Sequence, residues 1–337
     1  MTSTTVQTHT TRRVLLSVSA TALLLAAGLA NRAHAQSDYP NKPVRMVVPY
    51  APGGATDVIG RVLAKQLSDA LGQQFVVDNR AGAGGSLGAG QVAKSTADGY
   101  TLLMGAFTSH TINAALMPAV VPFDIHKSFA HVSVVGTVPL VFVVNPNVPA
   151  TSVKELVALA KAKPGSITFA SAGNGSPQHL ATEMFKRQAQ VDVIHVPYKG
   201  SGPAISDLLG GQVNAMIDTV PAAQSQIKAG KLRALATTTK ERVPSVPDIP
   251  TVVEAGMPDM LVSSMFALSA PAGTPDAVIR KLNEALKQIL SKQDVKDSML
   301  AQGVLAAYAT PEETTKIIDN EYSRWARLIK DSNIKPE

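Results

Sequence analysis

Short runs of β-branched and other apolar residues alternate along this chain with stretches whose apolar positions recur every three or four residues. Residues 44–48 (Val-Arg-Met-Val-Val) read as a buried strand, and from Val58 the residues Val58, Ile59, Val62, Leu63, Leu67 and Leu71 fall at helical spacing, with Gly72 as the stop. Further strands are predicted at 75–77, 101–104, 140–144, 167–170, 191–196, 213–217 and 232–236. After the proline-rich connection 244–250, another apolar run follows at 265–270. Alternation of this kind predicts an α/β fold with largely parallel sheets. No self-similar repeat or low-complexity tract interrupts it.

The helix starts are well punctuated. Ser176-Pro177, Gly202-Pro203, Thr274-Pro275 and Thr310-Pro311 each place a cap residue before a proline suited to the first helical position. Ser152 with Glu155 makes a capping box, and the helix it opens ends at Lys163-Pro164-Gly165.

Between the first strand and the first helix lies Pro49-Tyr50-Ala51-Pro52-Gly53-Gly54-Ala55-Thr56-Asp57. A glycine-rich turn at a helix start leaves N–H groups bare at the positive end of the helix dipole, which favours a carboxylate or phosphate without any cationic side chain. Three more loops share this grammar: Arg80-Ala81-Gly82-Ala83-Gly84-Gly85-Ser86, Ser171-Ala172-Gly173-Asn174-Gly175-Ser176-Pro177 and His195-Val196-Pro197-Tyr198-Lys199-Gly200. Each follows a predicted strand, and ligands of open α/β sheets bind outside the carboxyl ends of the strands. For any one loop a tight βα turn explains the glycines equally well. Four in one chain shift the weight towards a site.

Several chemistries find little support. In 82–88 the third glycine of G-x-G-x-x-G falls on Leu87, and no P-loop motif occurs. His110, His179 and His195 are scattered without metal-ligand spacing, so no metal and no cofactor is expected. Ser176, His179 and Asp218 have the residue types of a hydrolytic triad, but Ser176 lacks the G-x-S-x-G elbow and reads better as a helix cap. Asp57 either faces a ligand or completes the first helical turn. Because a carboxylate repels an anionic ligand, it orders the turn or a ligand N–H rather than gripping an acid. Lys199 pairs with an acidic ligand or stays solvated, and Tyr50 and Tyr198 wall a small ligand or pack between helices.

Charge and address narrow the picture. Arg12 and Arg13 precede the apolar stretch 14–30, and Ala33-His34-Ala35 supplies a small-x-small cleavage site, so residues 1–35 read as an export signal. Removing these 35 of 337 residues leaves 302, enough for two domains, with 28 basic against 25 acidic residues and a net charge of +3. Nothing in that balance calls for nucleic acid. With no cysteine there is no disulfide framework, thiolate metal site or lipid anchor, and a free periplasmic protein is expected.

Taken in order, these loops and four further pieces carry a resemblance: Tyr39-Pro40, Asp98-Gly99-Tyr100-Thr101-Leu102-Leu103, Gln178-His179-Leu180 and Ala270-Pro271-Ala272-Gly273-Thr274-Pro275. The chain resembles the Bug family, the periplasmic substrate receptors of tripartite tricarboxylate transporters, over essentially all of the predicted mature length. The resemblance implies a type II periplasmic binding protein, a Venus flytrap of two α/β domains with crossing strands. Residues 36–137 and 264–337 would form domain 1, and 138–263 domain 2. It implies ligand carboxylates held largely by backbone N–H groups and bridging waters. The positions carried over are Tyr50, Ala51, Pro52, Gly53, Gly54, Ala55, Thr56 and Asp57 in the first domain and Ala172, Gly173, Asn174, Gly175 and Ser176 in the second. Thr108, Ser109, His110, Asp218 and Thr219 join them on weaker grounds. Tyr50 stands where the family usually has phenylalanine, and Ala81 where it often has proline.

The function expected is a monomeric receptor that closes on a small organic acid or amino acid and delivers it to integral-membrane permease subunits. A receptor of the same fold feeding a sensor kinase is the alternative. An exported α/β hydrolase using Ser176 is a third.

Overall fold

The strand β1 (Val44–Val48) is apolar at four of its five positions, and all four are fully buried, as a strand covered on both faces requires. In the computed structural model residues 39–53, 55–198 and 200–335 are described. The predicted signal segment, Gly54 and Lys199 lie outside them. Residues 42–337 make one compact unit.

After β1 comes α1 (Ala55–Leu71), which buries Ile59, Leu63 and Leu67 and stops before Gly72, at φ +71°. Then follow β2 (Phe75–Asn79), a 3₁₀ turn (Ala83–Gly85), α2 (Ser86–Ala93), β3 (Thr101–Ala106), α3 (Phe107–Leu116) and β4 (Phe129–Val144). The middle of the chain continues through α4 (Val153–Ala162), β5 (Thr168–Ser171), α5 (Pro177–Ala189), β6 (Ile194–Pro197), α6 (Ser201–Leu209), β7 (Ala215–Thr219), α7 (Val220–Lys228) and β8 (Arg233–Thr237). The last elements are β9 (Ser263–Pro271), α8 (Asp276–Ser291), α9 (Gln293–Ala301), β10 (Leu305–Ala306) and α10 (Pro311–Asp331).

The strands run β2-β1-β3-β9-β4-β7-β5-β6, with β8 and β10 also on β4. The triplets β2-β1-β3 and β7-β5-β6 are parallel, whereas β9 and β4 pair antiparallel between them. The 16-residue β4 pairs with β9 from Phe129 to Pro139, then with β7 and β8 from Leu140 to Val144. One strand thus serves both halves of the sheet. Its second half alternates by face: Leu140, Phe142 and Val144 enter one core cluster, Val141 and Val143 another. A third cluster, with Val47, Leu103, Phe107, Phe129 and Val134, underlies the first half.

Caps act largely as the sequence predicts. Ser176 accepts the His179 N–H at 3.2 Å with Pro177 next to it, and Thr310 with Glu313 forms a complete capping box. Two starts differ from expectation. The helix near Gly202-Pro203 begins earlier, at Ser201, and that near Thr274-Pro275 begins at Asp276, because the Thr274 hydroxyl turns back to the Pro271 carbonyl at 2.8 Å. At α4 the box is half made: Ser152 accepts the Glu155 N–H, while the Glu155 carboxylate takes the N–H and hydroxyl of Thr151 instead.

Candidate functional site

Strand order decides where a ligand would lie. In the first half β1 leads through α1 to β2 on one side, and β2 leads through α2 to β3 on the other, so a crevice opens at the carboxyl ends of β1 and β3. The second half repeats this with β6, β5 and β7. Nearly every residue singled out from sequence follows one of these four ends: 50–57 after β1, 108–110 at the start of α3, 172–176 after β5, and 218–219 at the end of β7. Tyr198, which follows β6, and the 80–86 loop, which follows β2, are the exceptions.

The first turn is held from behind by Asp57, which is 3% exposed. Its carboxylate accepts the Gly53 N–H at 3.0 Å, the Arg61 Nε at 2.9 Å and the Asn79 Nδ2 at 3.0 Å. Burial alone would raise its pKa, but these donors outweigh it and hold the carboxyl below its usual value. Asn79 also donates to the Tyr50 carbonyl at 3.0 Å. Asp57 therefore orders the turn. Ala51, Pro52 and Gly53 are left exposed, with Gly53 at φ +89°, and the N–H groups of the first turn of α1 end at this loop.

Tyr50 stacks on His110, with centroids 6.4 Å apart, and its hydroxyl donates to the Gly84 carbonyl at 3.3 Å. Burial pushes that hydroxyl up to about 12, against the lowering effect of a bond with the Ser109 side chain. His110 is fully buried among Tyr50, Phe107 and Phe123, and neither ring nitrogen has a hydrogen-bond partner among the described residues. Burial drives its pKa down to about 4, so it is neutral at pH 7. Only a residue without a Cβ fits at Gly85: a methyl there would lie 2.7 Å from the Tyr50 hydroxyl and 3.1 Å from His110.

In the second half, Ser171 Oγ accepts the Gly173 N–H at 3.1 Å and lies 2.7 Å from His195 Nε2. His179 stacks on His195 at 4.2 Å, and its Nδ1 accepts the Gly175 N–H at 3.2 Å. Burial, then the neighbouring His179 and Lys186, push His195 down to about 3. Asp218 is fully buried. Its Oδ1 takes Gln178 Nε2 at 2.9 Å, Ser201 Oγ at 2.8 Å and the Thr219 N–H at 2.7 Å, while Oδ2 has no partner among the described residues. Burial raises its pKa against those bonds and a further one with the Thr219 side chain.

Tyr50 and His110 thus meet the 82–85 loop, with the Ser109 side chain on Tyr50, and Asp218 with Thr219 meets the first turns of α5 and α6. Two expected residues turn elsewhere. Thr108 Oγ1 accepts the Met265 N–H at 2.9 Å and so ties α3 to β9, and the Tyr198 hydroxyl donates to Asp207 at 2.7 Å. Burial and that carboxylate push Tyr198 up to about 12. Ser176 Oγ accepts the His179 N–H as a helix cap, His179 Nδ1 accepts the Gly175 N–H, and Asp218 Oδ1 accepts from Gln178 and Ser201. Arg61, Asn79, Asn113, Gln178 and Ser201 were not foreseen. Arg61 alone had a sequence signal, its i, i+4 spacing from Asp57. Among the described residues no group of three or more His, Asp or Glu is placed to hold a metal ion.

Known proteins resemble this chain over most of its length. BugT of Bordetella pertussis (strain Tohama I) is 42% identical over 313 residues, covering 93% of this chain and 95% of that protein. The structure of R. palustris Rpa4515 with adipate is 34% identical, with a TM-score of 0.81, and covers 89% of this chain and 100% of that one. MatC from Rhodopseudomonas palustris with bound malate is 32% identical, with a TM-score of 0.77, covering 86% and 100%. The TctC family, described as the tripartite tricarboxylate transporter family receptor, matches residues 59–334, and the chain belongs to that family.

Proposed function

We propose that this chain is a periplasmic receptor that binds a small carboxylate-bearing metabolite at the carboxyl ends of β1, β3, β5 and β7 and delivers it to a tripartite tricarboxylate-type permease. The observation that carries the reading is the convergence of helix-start loops on the two strand-order switch points, the first of them shaped by Asp57. The relatives solved with adipate and malate support the ligand class. Residues 36–137 with 264–337, and 138–263, act as two domains that close on the ligand, in a monomer released by cleavage near Ala35. No charged side chain is needed for the grip, because helix-start N–H groups form charge-assisted bonds to a carboxylate.

A thermal-shift screen of organic acids tests this. An acid at one hundred times its dissociation constant adds about 2.7 kcal/mol of stability and raises the midpoint readably. Adipate and malate are the first to try. A screen in which sugars or peptides raise the midpoint and no acid does so rejects the proposal.

A further inference from the structure

Asn113 lies on α3, one turn beyond His110, and is 3% exposed. Its Nδ2 donates to the Gly84 carbonyl at 3.3 Å. That bond fixes the orientation of the amide, since a flip would set two oxygens against each other. Oδ1 therefore faces the other way, where it is buried without a partner among the described residues. A buried acceptor left without a donor is costly and calls for a reason other than stability.

What stands on that side is Gly175. A methyl group placed on it would lie 2.5 Å from Asn113 Oδ1 and 3.6 Å from Leu116 Cδ2. A methyl on Gly84 would lie 2.9 Å from the Nδ2 of the same side chain. One planar amide is thus held between glycines of two candidate ligand loops, one following β2 and the other following β5. The amide is buried, anchored to Gly84 and backed by a helix whose Ile112 and Leu116 are set in the core cluster of the second half.

We propose that Asn113 is a positioning residue of the ligand site: its amide is the spacer that sets how closely the 82–85 and 172–176 loops approach, and hence the length of acid the site accepts. This rests on those loops being ligand loops. The spacing itself can be measured with no ligand present, so failure here is distinct from failure of the receptor reading.

The chain has no cysteine, so Lys94→Cys and Gln188→Cys provide two exposed labelling sites, just beyond α2 and on α5. Spin labels there report the distance between the two halves by electron–electron resonance. Gly175→Ala should lengthen it by roughly 1 Å or more, the shortfall of 2.5 Å from the ordinary 3.4–4 Å contact. Adding Asn113→Ala should bring it back. Both chains carry the same backbone strain at φ +73°, so their difference reads the Asn113 side chain, its contact with residue 175 together with its bond to Gly84. Asn113→Gln, one methylene longer, should also lengthen the distance without touching either glycine, and melting curves of the same samples identify any variant that fails to fold. An unchanged distance in both Gly175→Ala and Asn113→Gln, or a lengthening that Asn113→Ala does not reverse, overturns the proposal.

Discussion

Asp57 is nearly buried yet charged, because three donors from three different segments converge on it. Removing hydrogen bonds to a charged group costs roughly 1.5–3 kcal/mol, so Asp57→Ala should lower the unfolding free energy by that order in a urea titration. The first turn of α1 should lose its shape, and acid affinity should fall with it. Tyr50 sets a contrasting case. Its hydroxyl bonds the Gly84 carbonyl and the Ser109 side chain, so its expected role is to order the 82–85 loop rather than to rank the acids. Tyr50→Phe should cost about 0.5–1.5 kcal/mol of stability and leave the ranking of acids unaltered, as calorimetric titration of a short acid series will tell.

Among the elements, α10 shows how local signals fix a boundary that tertiary packing then uses. Thr310 and Glu313 cap each other's backbone N–H groups, Pro311 fits the first turn, and the helix carries Trp325 and Ile329 into the core cluster of the second half. Thr310→Ala should cost about 0.5–2 kcal/mol, read as a lower denaturation midpoint by Trp325 fluorescence. The amphipathic α8 depends on burial instead: Val278, Leu282, Leu286 and Ile289 form its inner stripe. There Leu286→Ala should cost about 2–5 kcal/mol in the same assay, more than any cap.

For the whole molecule, the buried histidines set the response to acid. His110 and His131 are each pushed down to about 4 by burial, slightly countered at His131 by Asp319. The unfolded chain takes up these protons near pH 6.5, and the folded chain refuses them until about pH 4. Stability is therefore fully present above pH 6.5 and falls between 6.5 and 4, by roughly 1 kcal/mol per pH unit from each histidine. Denaturant melts from pH 7 to 4 will show this slope, and His131→Gln should reduce it. A second expectation concerns domain closure on the ligand. Small-angle scattering should give a smaller radius of gyration at saturating acid than in protein stripped of ligand.

The order of strands and helices, most helix caps and the four glycine loops were legible in the sequence, because periodicity, caps and turn residues act over a few neighbouring positions. Strand β4 was read only as 140–144. Gly136 and Pro139 interrupt the apolar pattern, yet pairing with β9 continues past both, with a shift of register between Val134 and Gly136. The Asp57–Arg61 pair was within reach of sequence, at four residues' separation. The Asn79 amide 22 residues away, the Gln178 and Ser201 donors on Asp218, and Asn113 between Gly84 and Gly175 were not. Nor could sequence tell that Thr108 and Tyr198 spend their hydroxyls on β9 and Asp207. Local propensity specifies where a loop or helix begins. Which polar atoms are spent within the protein and which stay bare is decided only when distant segments pack, since a hydrogen bond depends on ångström distances that chain separation does not encode.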